Sequence, residues 1–133
     1  MTPDYDKVAL LTIRDGCVLL CRKKHTTALL ILPGGCREPG ETTLQCLNRE
    51  LKEELGDVAA GDLTYIATYT SPAAGNGNKT VRIELYQGTL AGTPIPNAEI
   101  KELIWFHPQD DHSQLAPSLK NLIFPDLKSR GII

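Results

Sequence analysis

Gly35-Cys36-Arg37-Glu38-Pro39-Gly40-Glu41-Thr42-Thr43-Leu44-Gln45-Cys46-Leu47-Asn48-Arg49-Glu50-Leu51-Lys52-Glu53-Glu54-Leu55-Gly56-Asp57 is a loop that runs into a helix. Thr42 and Gln45 form a capping-box pair, in which each side chain bonds the other residue's backbone, so a helix is expected from about Thr42 to Leu55. Gly56 is placed to end it. At about 100° per residue, Leu44, Leu47, Leu51 and Leu55 form one stripe, expected to pack on a sheet. Glu50, Glu53 and Glu54 gather on a different arc. Each like-charged pair at this spacing costs a few tenths of a kcal/mol, and Arg49 relieves only part of that by pairing with Glu53. Two readings fit the helix taken alone: a solvated acidic face, or a set of oxygen ligands for a hard divalent cation such as Mg²⁺.

Outward from this segment the periodicity alternates between strand and helix, which predicts a mixed α/β domain. Upstream, Lys7 to Ile13 and Cys17 to Lys23 read as strands joined by the hairpin turn Arg14-Asp15-Gly16. A third short strand is expected at Ala28 to Leu32, stopping at Pro33-Gly34-Gly35, where a sharp loop must begin. Downstream, Leu63 to Ser71 and Thr80 to Leu90 read as strands joined by a polar, glycine-rich loop over 72–79, suited to closing over a ligand. Ile100 to Phe106 is a last strand with Trp105 placed in the core. Pro117 to Arg130 is a helical pattern interrupted by Pro125, and Gly131 stops its final turn.

The chain has 133 residues, 41% hydrophobic and 23% charged, values that fit one globular domain over residues 1–133 and exclude a disordered or collagen-like chain. A net charge of −2 and no basic tail argue against binding a nucleic acid duplex. The apolar runs fall far short of the roughly 20 residues of a bilayer span. Met1 to Asp6 is acidic and lacks the features of a secretory signal, so the cytoplasm is the expected location. Cys17, Cys21, Cys36 and Cys46 show neither a C-x-x-C pair nor zinc spacing; Cys17, Cys21 and Cys46 are expected as reduced, buried thiols. His25, His107 and His112 show no ligand pattern.

The stretch from Gly35 to Asp57 resembles the Nudix box, whose form is G-x5-E-x7-R-E-U-x-E-E-x-G-U, with U a bulky aliphatic residue. Asp57 departs from the pattern at the final U, and Val58, which follows, is expected to take over its packing. The resemblance implies a Nudix-type α/β/α sandwich with a mixed sheet. It further implies that Glu53 and Glu54 bind catalytic Mg²⁺, with Mn²⁺ a substitute, that Glu50 and the Gly35 carbonyl contribute ligands, and that Arg49 orients a glutamate. For Glu41, the resemblance implies a supporting role in the loop and helix geometry.

In that reading the carboxylates hold the metal against a diphosphate, and one more carboxylate accepts a proton from the attacking water. Glu53 and Glu99, the latter six residues before Trp105, are the two candidates for this base. Arg37, Lys79 and Arg82 are candidates for pairing with substrate phosphates. The expected partner is a small nucleotide, and a homodimer is an assembly the chain leaves open. Ser71-Pro72 looks like the downstream proline of ADP-ribose pyrophosphatases of the family and favours ADP-ribose; the short N-terminal segment keeps a nucleoside triphosphate pyrophosphohydrolase, including one that clears oxidised nucleotides, as the alternative. A nucleotide-sensing module without catalysis and an acidic structural domain are the rival classes.

Overall fold

The computed structural model describes residues 3–25, 29–73 and 76–133. Within them the order is β1 (Tyr5–Leu11), β2 (Ile13–Arg14), β3 (Cys17–Lys23), β4 (Gly34–Cys36), α1 (Thr43–Leu55), β5 (Ala59–Ala73), β6 (Asn76–Ala91), β7 (Ile100–Phe106) and α2 (Phe124–Ser129). A 3-10 turn at His112–Gln114 and a π-helical stretch at Leu119–Ile123 lead into α2. One sheet has the order β4-β1-β6-β5 and the other β2-β3-β7. The first is mixed, because β1 runs parallel to β6 and antiparallel to β4.

Alternation along the strands sends neighbouring side chains into two cores. Val8, Leu10 and Leu19 meet Leu47, Leu51 and Leu55 of α1. Ala9, Leu11, Val18 and Leu20 meet Leu119, Ile123, Phe124 and Leu127 of the C-terminal helical segment. Strands are thus covered by helix on both faces, an α/β/α arrangement. Val58 is buried with the first of these cores while Asp57 is exposed, so the packing passes to Val58 as expected. The turn at Asp15 and Gly16 has φ of 52° and 78°, the left-handed conformations a tight hairpin needs.

Several elements differ from expectation. Ala28 lies outside the described residues; Ile31 and Leu30 make only isolated bridges, to Cys21 and Leu115, so no strand forms at 29–32. The strand begins instead at Gly34, where a loop was expected. Gly34 lies so close to β1 that a side chain there would collide with the Val8 carbonyl, and its φ of 141° suits glycine. The segment 72–79 is mostly strand: Pro72 pairs with Thr80 and Ala73 with Asn76, while Ala74 and Gly75 lie outside the described residues. Leu44 is 49% exposed, because the inward face of α1 is centred on Cys46, Leu47, Leu51, Glu54 and Leu55. Trp105 is 37% exposed on the edge strand β7, with the Arg14 guanidinium 5.3 Å from its ring, and is not a core residue. Cys21 and Cys46 are fully buried, Cys17 half-buried and Cys36 exposed.

Candidate active site

The capping box forms as read: Gln45 N–H donates to Thr42 Oγ1 at 3.2 Å and Thr42 N–H to Gln45 Oε1 at 3.0 Å. This fixes where α1 starts and hence the rotation of its glutamates. Gly35, Glu50, Glu53 and Glu54 line one cavity of about 270 Å³, and Glu99 reaches it from the segment before β7. Lys7, Lys23, Cys36 and Ala98 complete the lining.

Behind the cavity wall, Arg49 organises the acidic groups. Its Nε and Nη2 donate to the two oxygens of Glu41 at 2.7 and 2.9 Å, a bidentate pairing. Nη1 donates to Glu50 at 2.8 Å and reaches Glu53 at 3.5 Å, and Nη2 also donates to the Cys36 carbonyl at 3.0 Å. The Arg49 contact holds the Glu41 carboxyl down at about 2 and pushes the arginine's own pKa further up. Glu41 therefore ties the loop before α1 to the helix.

Glu54 is only 7% exposed, and burial raises its pKa to about 7 despite the Gly34 N–H that donates to Oε1 at 2.9 Å. Glu50 is raised for the same reason, with Arg49 opposing. Lys7 is lowered by burial and by Lys23 beside it. A side chain at Gly35 would collide with the Glu50 carboxylate, so glycine is what allows that carboxylate to lie against the β4 backbone.

This donor set is all oxygen, the chemistry that suits a hard cation of the Mg²⁺ type. Among the described residues no three His, Cys, Asp or Glu side chains converge into a ready-made cage. A hard cation of this kind does not need one, since it retains waters and takes one or two carboxylates together with substrate phosphates. Gly35, Glu50, Glu53 and Glu54 fit that requirement.

The three basic candidates do not gather at the cavity. Arg37 forms an ion pair with Glu84 and donates to Thr43 Oγ1 at 3.0 Å. Lys79 and Arg82 are exposed on β6 and do not line the cavity. The lysines that do, Lys7 and Lys23, were not singled out in the sequence. Lys7 shares its face of β1 with Ala9 and Leu11, and a lysine at an inward position is a signal that period-2 reading can find.

A NUDIX domain model matches residues 5–124. The nucleoside triphosphatase NudI of Salmonella arizonae is 43% identical over 47 residues, which are 32% of this chain and 33% of that protein, so the match spans about a third of the curated relatives' length. Among solved structures, the E. coli ORF135 protein superposes with a TM-score of 0.74 at 28% identity, over 94% of this chain and 91% of that one. A MutT NUDIX hydrolase from Burkholderia pseudomallei gives 0.77 at 24% identity, over 91% and 95%.

Proposed function

The chain belongs to the NUDIX domain family, and we propose that it hydrolyses the phosphoanhydride bond of small nucleotide derivatives with Mg²⁺, for which Mn²⁺ can substitute. The observation that carries this reading is the meeting of Glu50, Glu53, Glu54, Glu99 and Gly35 at one cavity that also holds two lysines. A divalent cation bound there would supply charge neutralisation to the anhydride and Lewis-acid activation of water. Glu50, Glu53, Glu54 and the Gly35 carbonyl are the groups that would hold it. Arg49 orients Glu50 and Glu53. Glu99 reaches the cavity from a different element than those carboxylates and so remains free to accept the proton of the attacking water; Glu53 is the second candidate. Lys7 and Lys23 offset phosphate charge. Lys79 and Arg82 are left for the outer part of a substrate, whereas Arg37 is engaged by Glu84.

The nucleoside triphosphatase relative supports a nucleoside triphosphate as substrate. Ser71-Pro72 supports ADP-ribose as the second reading. Both are small nucleotides. The net charge of −2 argues against a nucleic acid duplex. Among the described residues no helix is long and apolar enough to cross a membrane. A cytoplasmic setting is proposed on the free thiols, and a homodimer is the assembly for light scattering to test.

The decisive experiment incubates the protein and Mg²⁺ with ADP-ribose, dinucleotides, nucleotide sugars and nucleoside triphosphates and identifies the products. Pyrophosphate from a triphosphate supports the first reading and AMP from ADP-ribose the second; EDTA abolishes either. Tight binding without any cleavage over hours favours a nucleotide-sensing module and overturns the hydrolase.

A further inference from the structure

The segment before β7 is fastened to the C-terminal end of α1, where helix carbonyls have no partner within the helix. Ile95 N–H donates to the Leu55 carbonyl at 2.9 Å and Asn97 N–H to the Glu54 carbonyl at 3.0 Å. The Asn97 side chain adds a third bond, Nδ2 to the Glu53 carbonyl at 3.1 Å. Immediately after it the backbone turns, with Ile100 N–H donating to the Asn97 carbonyl at 2.9 Å and Ala98 at a φ of 48°. That is the left-handed region, which a residue with a β-carbon enters only when its surroundings enforce it. Glu99 is the next residue, and its own carbonyl accepts from Lys24 N–H at 2.8 Å. The turn that presents Glu99 to the cavity is therefore held on one side by the backbone of Glu53 and Glu54 and on the other by the end of β3.

We propose that Asn97 is a positioning residue: it clamps the turn carrying Glu99 to the end of α1, so that Glu99 keeps a fixed distance from the helix glutamates during proton transfer. The inference rests on the reading of Glu99 as the base. The side chain of Asn97 is suited to the task because its amide both reaches the Glu53 carbonyl and leaves its own backbone N–H and carbonyl free for Glu54 and Ile100. Aspartate at this position loses the donor and places a negative charge against a helix C-terminus, the unfavourable end of the dipole.

The test is a double-mutant cycle of Asn97→Ala and Glu99→Gln, with kcat and KM measured on dGTP and on ADP-ribose with Mg²⁺. Amide exchange at Asn97 and Ile100 is followed in the metal-free protein. Asn97→Ala is expected to lower kcat roughly tenfold with KM nearly unchanged, and to have almost no further effect when Glu99 is already glutamine, the signature of two residues acting as a unit. Asn97→Asp is expected to lose at least as much, and exchange at Ile100 is expected to speed up by about tenfold in Asn97→Ala. Asn97 is exposed, so these variants are expected to fold; their melting temperatures check it.

An unchanged kcat in Asn97→Ala, full activity in Asn97→Asp, or an equal loss in both backgrounds overturns the proposal, the last because Asn97 then acts without Glu99. A silent Glu99→Gln in an active enzyme removes the base reading and the proposal with it. If the unmodified chain cleaves neither probe, the two substrate readings are contradicted separately, and unchanged exchange at Ile100 still refutes the clamp.

Discussion

Arg49 directs one guanidinium to Glu41, Glu50, Glu53 and the Cys36 carbonyl, which explains how neighbouring glutamates can coexist on one helix without scattering. A lysine offers a single ammonium and cannot reproduce the bidentate grip on Glu41 while also reaching Glu50. Arg49→Lys is therefore expected to lower kcat by roughly tenfold or more with the circular dichroism spectrum unchanged; wild-type kinetics contradict that role. Glu41 gives the matching pH dependence. Its folded pKa, about 2, lies below its ordinary value of 4.5, so its contribution to stability is fully present above about 4.5 and is lost as pH falls toward 2. The gap in melting temperature between the unmodified chain and Glu41→Gln should close across that window; a gap constant from pH 7 to pH 2.5 contradicts the assignment. The Arg49–Glu53 contact is visible in the sequence as an i,i+4 pair. The Arg37–Glu84 pair is not, because it joins residues 47 apart that only the pairing of β1 with β4 and β6 brings together.

At the scale of elements, α1 was legible from start to stop because its cap, its leucines and its terminal glycine are all local signals. Thr42→Ala is expected to cost about 1 kcal/mol in a urea titration, the usual worth of an N-cap, and no measurable loss there contradicts the capping geometry. What periodicity does not provide is the exact rotation of the helix: two overlapping arcs contain Leu47, Leu51 and Leu55, and tertiary packing selects the one with Cys46 and Glu54 over the one with Leu44. That selection buries Glu54 and turns it toward β4. The strand β4 itself was hidden because Pro33-Gly34-Gly35 reads locally as a breaker, whereas close approach to β1 is what requires the glycine at Gly34. Gly35→Ala should displace Glu50 and so lower activity roughly tenfold or more. Unchanged kinetics in that variant contradict the placement of Glu50.

For the whole molecule, the mixed α/β class followed from alternating periodicity, but the lengths of β5 and β6 did not. The stretch over 72–79 is too polar to read as strand, and the pairing of Pro72 with Thr80 and of Ala73 with Asn76 extends the sheet into it. The C-terminal segment seals the second core, with Tyr69 of β5 donating to Asp126 of α2 at 2.6 Å and Leu127 fully buried. Leu127→Ala is expected to cost about 2–5 kcal/mol by denaturant titration, as removal of a buried leucine generally does. The claim on which the functional account stands is that the helix carboxylates hold a divalent cation at the cavity. Its most direct test is an electron paramagnetic resonance titration with Mn²⁺, comparing the unmodified chain with Glu53→Gln and Glu54→Gln. The account predicts binding to the unmodified chain that weakens by roughly tenfold or more in each variant; equal Mn²⁺ binding by all three proteins, or none by the unmodified chain, contradicts it.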